Sequence, residues 1–279
     1  MSANDMNRQK AFADVVSIDA WHEKLSAKTA IAALHADVVF STARIGGEVE
    51  SQVRFRLSIK RAELVVIIPE TEPFAVDKRS VARMGDVITM TRSFEDTTEV
   101  LGAAGGDAKL AISPTKVSVS ANAKLQANAK RIAKQKLRGT DKRASIDVTY
   151  RFHNGENNDR WTFKPEIGAV LEGRPWDALK SPLLKLVDQR TNREKGIAPS
   201  VRLEIRCLRE DLKIEDIEIK NSGLWEKLVN REGSKNRLKA AEAYIKNQLE
   251  EAGLEAGDLS DKFAKITLGE VIANNGRVG

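Results

Sequence analysis

Hydrophobic and polar positions alternate with a period of two over much of this chain. Val49, Val53, Phe55, Leu57 and Ile59 share one face while Glu50, Gln52, Arg54, Arg56 and Ser58 share the other, which predicts a strand with one buried and one wet side. After Lys60-Arg61, the all-apolar run 64–68 stops at Pro69 and predicts a central strand covered on both faces. Ile146, Val148, Tyr150 and Phe152 alternate up to the turn-forming HNGENND, and Trp161 and Phe163 follow, a hairpin pattern. Val201, Leu203, Ile205 and Cys207 predict another strand, and Leu212, Ile214, Ile217 and Ile219 its return. The pair Glu215-Asp216 shifts the phase of that return as a bulge would. Residues 87–91 are a weaker strand candidate.

Helical spacing is rarer. Ser17 is placed to cap a helix over 18–36 built on Ile18, Trp21, Leu25 and Ala32. The stretch 176–187, between Pro175 and the residues after Pro182, predicts a helical turn and a short helix. Ser234 begins a helix striped by Leu238, Ala241, Ile245 and Leu249 and ended by Gly253. Phe263, Ile266 and Val271 predict a last helix. No repeat recurs at a fixed period. The expected fold class is mainly β: an antiparallel two-sheet, sandwich-like domain with peripheral helices and a helical C-terminal segment. The expected divisions are a mobile arm over 1–16, a β-rich domain over 17–223 with a basic insert at about 102–143, and a helical segment over 224–279.

One stretch breaks this pattern. From Thr97 to Lys130 the chain is rich in Ala, Gly, Ser, Thr and Lys and has no aromatic residue. From Lys124 to Arg143 it carries Lys124, Lys130, Arg131, Lys134, Lys136, Arg138, Lys142 and Arg143 against the single acid Asp141. Across 279 residues the net charge is +6, and all of the excess lies in the middle third, with 19 basic and 10 acidic groups over 101–200. A charge confined to one segment steers a specific contact, whereas a diffuse one mainly serves solubility.

Three expectations follow for that segment. In the first, Lys130, Arg131, Lys134, Lys136 and Arg138 present cations to a polyanion, a nucleic acid or an acidic partner protein, with salt-dependent and largely sequence-independent affinity. No aromatic residue is interleaved, so a base-stacking platform is not expected. In the second, residues 108–129 form an amphipathic hairpin that converts on an anionic membrane, since 117–129 exceeds the ~9–11 residues of a spanning strand. Its outward face is mostly Ala, however, and drives insertion weakly. In the third, residues 121–137 form a surface helix whose charges only face water.

Candidate chemistry elsewhere is fragmentary. His22-Glu23 opens like a zinc-protease helix, but Ser26 stands where the second His belongs. His35 and His22 are expected on a helix and His153 in the hairpin loop. Cys207, the only cysteine, rules out an internal disulfide and falls on the apolar phase of its strand, where it acts as a small hydrophobe. Glu156, Asp159 and three Asn residues offer oxygen ligands without the spacing of a calcium loop. Glu218 and Lys220 share a strand face, as a metal-dependent nuclease requires, but the upstream acid such a site also needs is not at the usual spacing, since Asp211 lies closer in sequence; a nuclease is the third function expected. The glycines at 102–106 and Gly233-Ser234-Lys235 lack the rest of a phosphate-binding loop. No catalytic, metal or cofactor set is assigned. The start of the chain has no signal-like apolar core, so the expected compartment is the cytoplasm. The expectation is a non-enzymatic interaction protein whose sheets and C-terminal helix mediate assembly into a homo-oligomer.

Overall fold

The computed structural model describes residues 8–23, 25, 30–48, 51–83, 89–90, 141–142, 146–190, 200–219 and 230–275. The chain divides into two compact units, residues 1–87 with 144–279, and residues 88–143.

The first unit is mainly β and antiparallel. Its largest sheet has six strands: β1 (Arg8–Lys10), β6 (Ala62–Ile67), β10 (Ile146–His153), β11 (Asn158–Pro165), β13 (Arg202–Leu208) and β15 (Lys265–Ile272), in the spatial order β1-β15-β13-β6-β11-β10. A five-stranded sheet contains β2 (Val16–His22), β3 (Ile31–Phe40), β7 (Phe74–Asp77), β12 (Leu184–Asp188) and β16 (Asn274–Asn275), in the order β16-β2-β3-β12-β7; the β16–β2 pair is parallel. A three-stranded sheet pairs β4 (Ala43–Gly46), β5 (Val53–Ile59) and β14 (Leu212–Ile219), with β5 in the middle. The sheets enclose one core, in which Trp161, Phe163, Phe40, Phe55, Leu64 and Ile205 are almost fully buried. Strand β6 is central, as its unbroken apolar run predicts, lying between β13 and β11.

Several expected elements are present. The hairpin β10–β11 is paired from Ile146↔Pro165 to His153↔Asn158, with Asn157 at φ +48° closing the turn. The register of β14 against β5 shifts between Glu215 and Glu218, with Asp216 at φ +51°. The helix α1 (Asn230–Glu251) buries Ala241, Ile245 and Leu249, packs Tyr244 edge-on against Phe55, and is followed by Gly253 at φ +72°.

Other expectations are corrected. The helix expected over 18–36 is two antiparallel strands, β2 and β3, paired from Val16↔Phe40 to His22↔Leu34. Ala32, Leu34, Ala36, Val38 and Phe40 are buried on one face at period two, and burial between strands overrides alanine's helix preference. Of the arm expected over 1–16, the described part, residues 8–16, belongs to the fold: β1 pairs with β15, and Phe12, Val15 and Val16 enter the core. No helix forms over 176–187. There Trp176 is buried with Nε1 donating to Ala36 O at 2.6 Å, and β12 follows. The last expected helix is β15, buried on both faces between β1 and β13, so among its described residues the C-terminal segment holds α1, then β15 of the main sheet and β16 of the five-stranded one. Strand β14 is not the hairpin return of β13, because a 3₁₀ turn (Arg209–Asp211) carries the chain from the six-stranded to the three-stranded sheet. Among the described residues α1 is the single α-helix, where several peripheral helices were expected.

The second unit is described at its root. Strands β8 (Thr89–Met90) and β9 (Asp141–Lys142) pair antiparallel, Thr89↔Lys142 and Met90↔Asp141, so the chain enters and leaves this unit side by side.

Candidate functional site

Of the cations assigned to polyanion binding, Lys142 lies in β9 at that root. Lys124, Lys130, Arg131, Lys134, Lys136, Arg138 and Arg143 lie outside the described residues, as do the 108–129 hairpin and the alternative helix over 121–137. The unit boundaries sharpen the charge count. Residues 88–143 hold 11 Lys or Arg and 5 Asp or Glu, so of the chain's 46 and 40 the other unit holds 35 and 35. The larger unit is formally neutral, and the whole net charge of +6 belongs to the smaller one.

Among its described residues the neutral unit holds many of its charges in ion pairs, a cluster of them on one face of the six-stranded sheet. Strand alternation places Arg202, Glu204 and Arg206 of β13 on that face, beside Glu63 of β6 and Arg160 of β11. Strand β15 holds one extra residue, Leu268, between the partners of Ile205 and Arg206. Thr267 and Glu270 are an odd number apart, and this bulge lets both stand opposite residues of that same face.

Glu204, 4 % exposed, receives Arg206 Nε at 2.6 Å on one oxygen and faces Arg202 Nε at 3.2 Å on the other. Glu156, from the β10–β11 turn, reaches over the face to Arg160, to Arg206 Nη1 at 3.5 Å and to Lys265 Nζ at 3.8 Å. The Arg160 guanidinium, and after it the Asn158 amide, hold the Glu156 carboxyl down at about 2. Arg202 Nη1 stands 3.7 Å from Glu270, whose carboxyl is raised by burial.

A cavity of about 210 Å³ opens at the edge of this lattice, walled by Arg61, Glu63, Arg160, Arg206, Asp211 and Lys265. Its apolar floor is Ala62, Cys207 and Leu208. Burial raises the Asp211 carboxyl.

A second cavity, about 410 Å³, lies by β7 and the β10–β11 hairpin. At its wall Asp159, 3 % exposed, accepts Tyr150 Oη at 2.5 Å and Lys78 Nζ at 2.8 and 3.0 Å. Lys78 also sits 3.8 Å from the centre of the Phe152 ring. Burial and the bond to Asp159 raise the Tyr150 hydroxyl, which therefore stays a donor. The arrangement locks the hairpin to the loop after β7, with its cation already matched.

The other sequence candidates resolve into structural roles. His22 and His35 lie on β2 and β3 rather than on a helix. His35 stacks on Trp21 at 5.2 Å, donates from Nδ1 to Ala178 O at 2.8 Å, and has Nε2 3.6 Å from Glu23 Oε1. Burial lowers the His22 imidazole. His153 stands in the hairpin, its Nδ1 accepting from Glu156 N at 3.3 Å. Cys207 is buried, and burial pushes its thiol up, away from the reactive thiolate.

In the HNGENND loop Glu156 and Asn158 are engaged within the protein: Asn158 Nδ2 donates to Glu156 at 3.1 Å, and Arg160 Nε donates to Asn158 Oδ1 at 2.8 Å. Among the described residues no group of three or more His, Cys, Asp or Glu is arranged to hold a metal. Glu218 is exposed near the far end of β14, while Asp211 precedes its first residue. Seven strand positions span roughly 20 Å, too far for the two acids to share an ion. Lys220 lies outside the described residues. Among the described residues no helix is long and apolar enough to cross a membrane.

Sequence inspection missed the lattice. Its signal was Arg202, Glu204 and Arg206, opposite charges at every second position of a strand, a face that is half-buried in the fold. The chain matches no family model and no curated protein, so function is argued from its residues.

Proposed function

We propose that this is a non-enzymatic interaction protein of the cytoplasm whose segment Lys124–Arg143 contacts a polyanion, nucleic acid first and an acidic protein surface as the alternative. The observation that carries the proposal is the division of charge: a formally neutral unit of 35 cations and 35 carboxylates beside a unit with an excess of six cations. In the neutral unit, arginines as buried as Arg160 and Arg206 are held by carboxylates. Five acids serve the eleven cations of residues 88–143, so at least six of those cations must be neutralised from outside that unit or solvated. A polyanion does this with a gain in counterion entropy. The β scaffold and α1 then serve assembly, in homo-oligomers or with the bound partner.

The test is fluorescence anisotropy of labelled duplex DNA and RNA with the full chain. If Lys130, Arg131, Lys134, Lys136 and Arg138 each meet a phosphate, log affinity falls with log salt at a slope of about −4.5, roughly 500-fold between 50 and 200 mM. Replacing those five by Gln removes that part of the slope, leaving at most what Lys124, Lys142 and Arg143 contribute. No binding of either duplex at 50 mM salt refutes the nucleic-acid proposal.

A further inference from the structure

The cavity at the edge of the ion-pair lattice has donors to spare. Four of its wall residues are cations, Arg61, Arg160, Arg206 and Lys265, and two are acids, Glu63 and Asp211. Glu63 is a loose partner: its oxygens stand 3.5 Å from Arg61 Nη2 and 3.8 Å from Arg160 Nη1, both longer than a charge-assisted hydrogen bond. Glu204 and Glu156 hold Arg206, and Glu156 also takes Arg160 Nη2 and stands 3.8 Å from Lys265 Nζ, but neither acid lines the cavity; among the described residues, Arg61, Lys265 and Nη1 of Arg160 keep donors with no carboxylate closer than 3.5 Å. The second wall acid, Asp211, faces Leu208 N at 3.4 Å, and burial raises its carboxyl. The floor of Ala62, Cys207 and Leu208 offers no strong hydrogen-bonding side chain, so water filling the 210 Å³ is poorly held there and is displaced with gain by an apolar body.

We infer that this cavity is a binding site for a compact organic oxyanion, a phosphate monoester or carboxylate whose charged head meets Arg61, Lys265 and Nη1 of Arg160 and whose apolar body rests on Leu208. The site draws its cations from three places far apart in sequence: the start of β6, the middle of β11 and the start of β15. The register of the sheet brings them together, with the Leu268 bulge setting how β15 aligns beside Arg206. It lies wholly in the neutral unit and does not depend on the basic segment.

The test is calorimetric titration of the full chain with phenyl phosphate, benzoate and inorganic phosphate at constant ionic strength. Phenyl phosphate or benzoate binds saturably at one site, more tightly than inorganic phosphate. Arg61→Gln and Lys265→Gln each weaken that binding about tenfold or more, the effect of losing one charge-assisted hydrogen bond. Their side chains are 44 % and 68 % exposed, so both variants keep the fold, checked by unchanged thermal unfolding. The Gln variant of Lys130, Arg131, Lys134, Lys136 and Arg138 retains the site. Absence of saturable binding by either organic probe overturns the inference. So does binding that survives both cavity variants, or binding lost only in the variant of the basic segment.

Discussion

Replacing Glu156 by Gln isolates the hub of the ion-pair lattice. Its carboxylate meets Arg160, Arg206 and Lys265, and the Arg160 guanidinium is the main reason its pKa falls from 4.5 to about 2. Taken at face value, that depression corresponds to roughly 3 kcal/mol of folding free energy. The side chain is 39 % exposed on a turn, and solvent screening reduces the expected effect to about 1 kcal/mol. The sign follows from the depressed folded-state value. The contribution is fully present above the unfolded-state pKa near 4.5 and is lost as pH falls through about 2. Urea unfolding at pH 7 therefore shows Glu156→Gln about 1 kcal/mol less stable than the parent, and the gap narrows between pH 4.5 and 2. Equal stability at pH 7, or a gap that ignores pH, refutes the assignment of Glu156 as the ionised centre of the lattice.

Two further outcomes test how the fold is partitioned. Replacing residues 91–140 by Asn-Gly joins Met90 to Asp141 through a two-residue turn suited to the β8–β9 ladder. Because residues 88–143 form a unit of their own, this variant keeps one cooperative thermal transition while losing duplex binding; a broad, non-cooperative melt contradicts the division into units. Ile245→Ala removes a fully buried contact of α1 with the core and is expected to cost about 2–5 kcal/mol in denaturant unfolding, whereas a loss under 1 kcal/mol would mean the helix is not docked through that stripe.

Much of the β architecture is local and therefore legible in the sequence. Alternation marks β5, β10, β11 and β13, the unbroken apolar run marks the centrality of β6, and the phase slip at Glu215-Asp216 marks a real bulge. The stripe Ala241, Ile245 and Leu249 marks α1, because one helical face must be apolar to dock. The excess charge of 124–143 is likewise a property of composition and needs no coordinates to locate.

What the sequence concealed is whatever depends on partners distant along the chain. Ala32 to Phe40 suits a helix in isolation, and it becomes a strand because β2 and β12 pair with it on either side. Strand β15 has no clean alternation because both its faces are covered, so neither a period of two nor of 3.6 identifies it. The joining of Arg61, Arg160, Arg206 and Lys265 around one cavity is a matter of sheet order and register, set by backbone hydrogen bonds between segments up to two hundred residues apart. Residue type thus determined which positions are apolar and where charge accumulates, while tertiary pairing decided which of those charges meet each other. Burial and electrostatic pairing act through space, and a one-dimensional pattern records only the half of them that recurs along the chain.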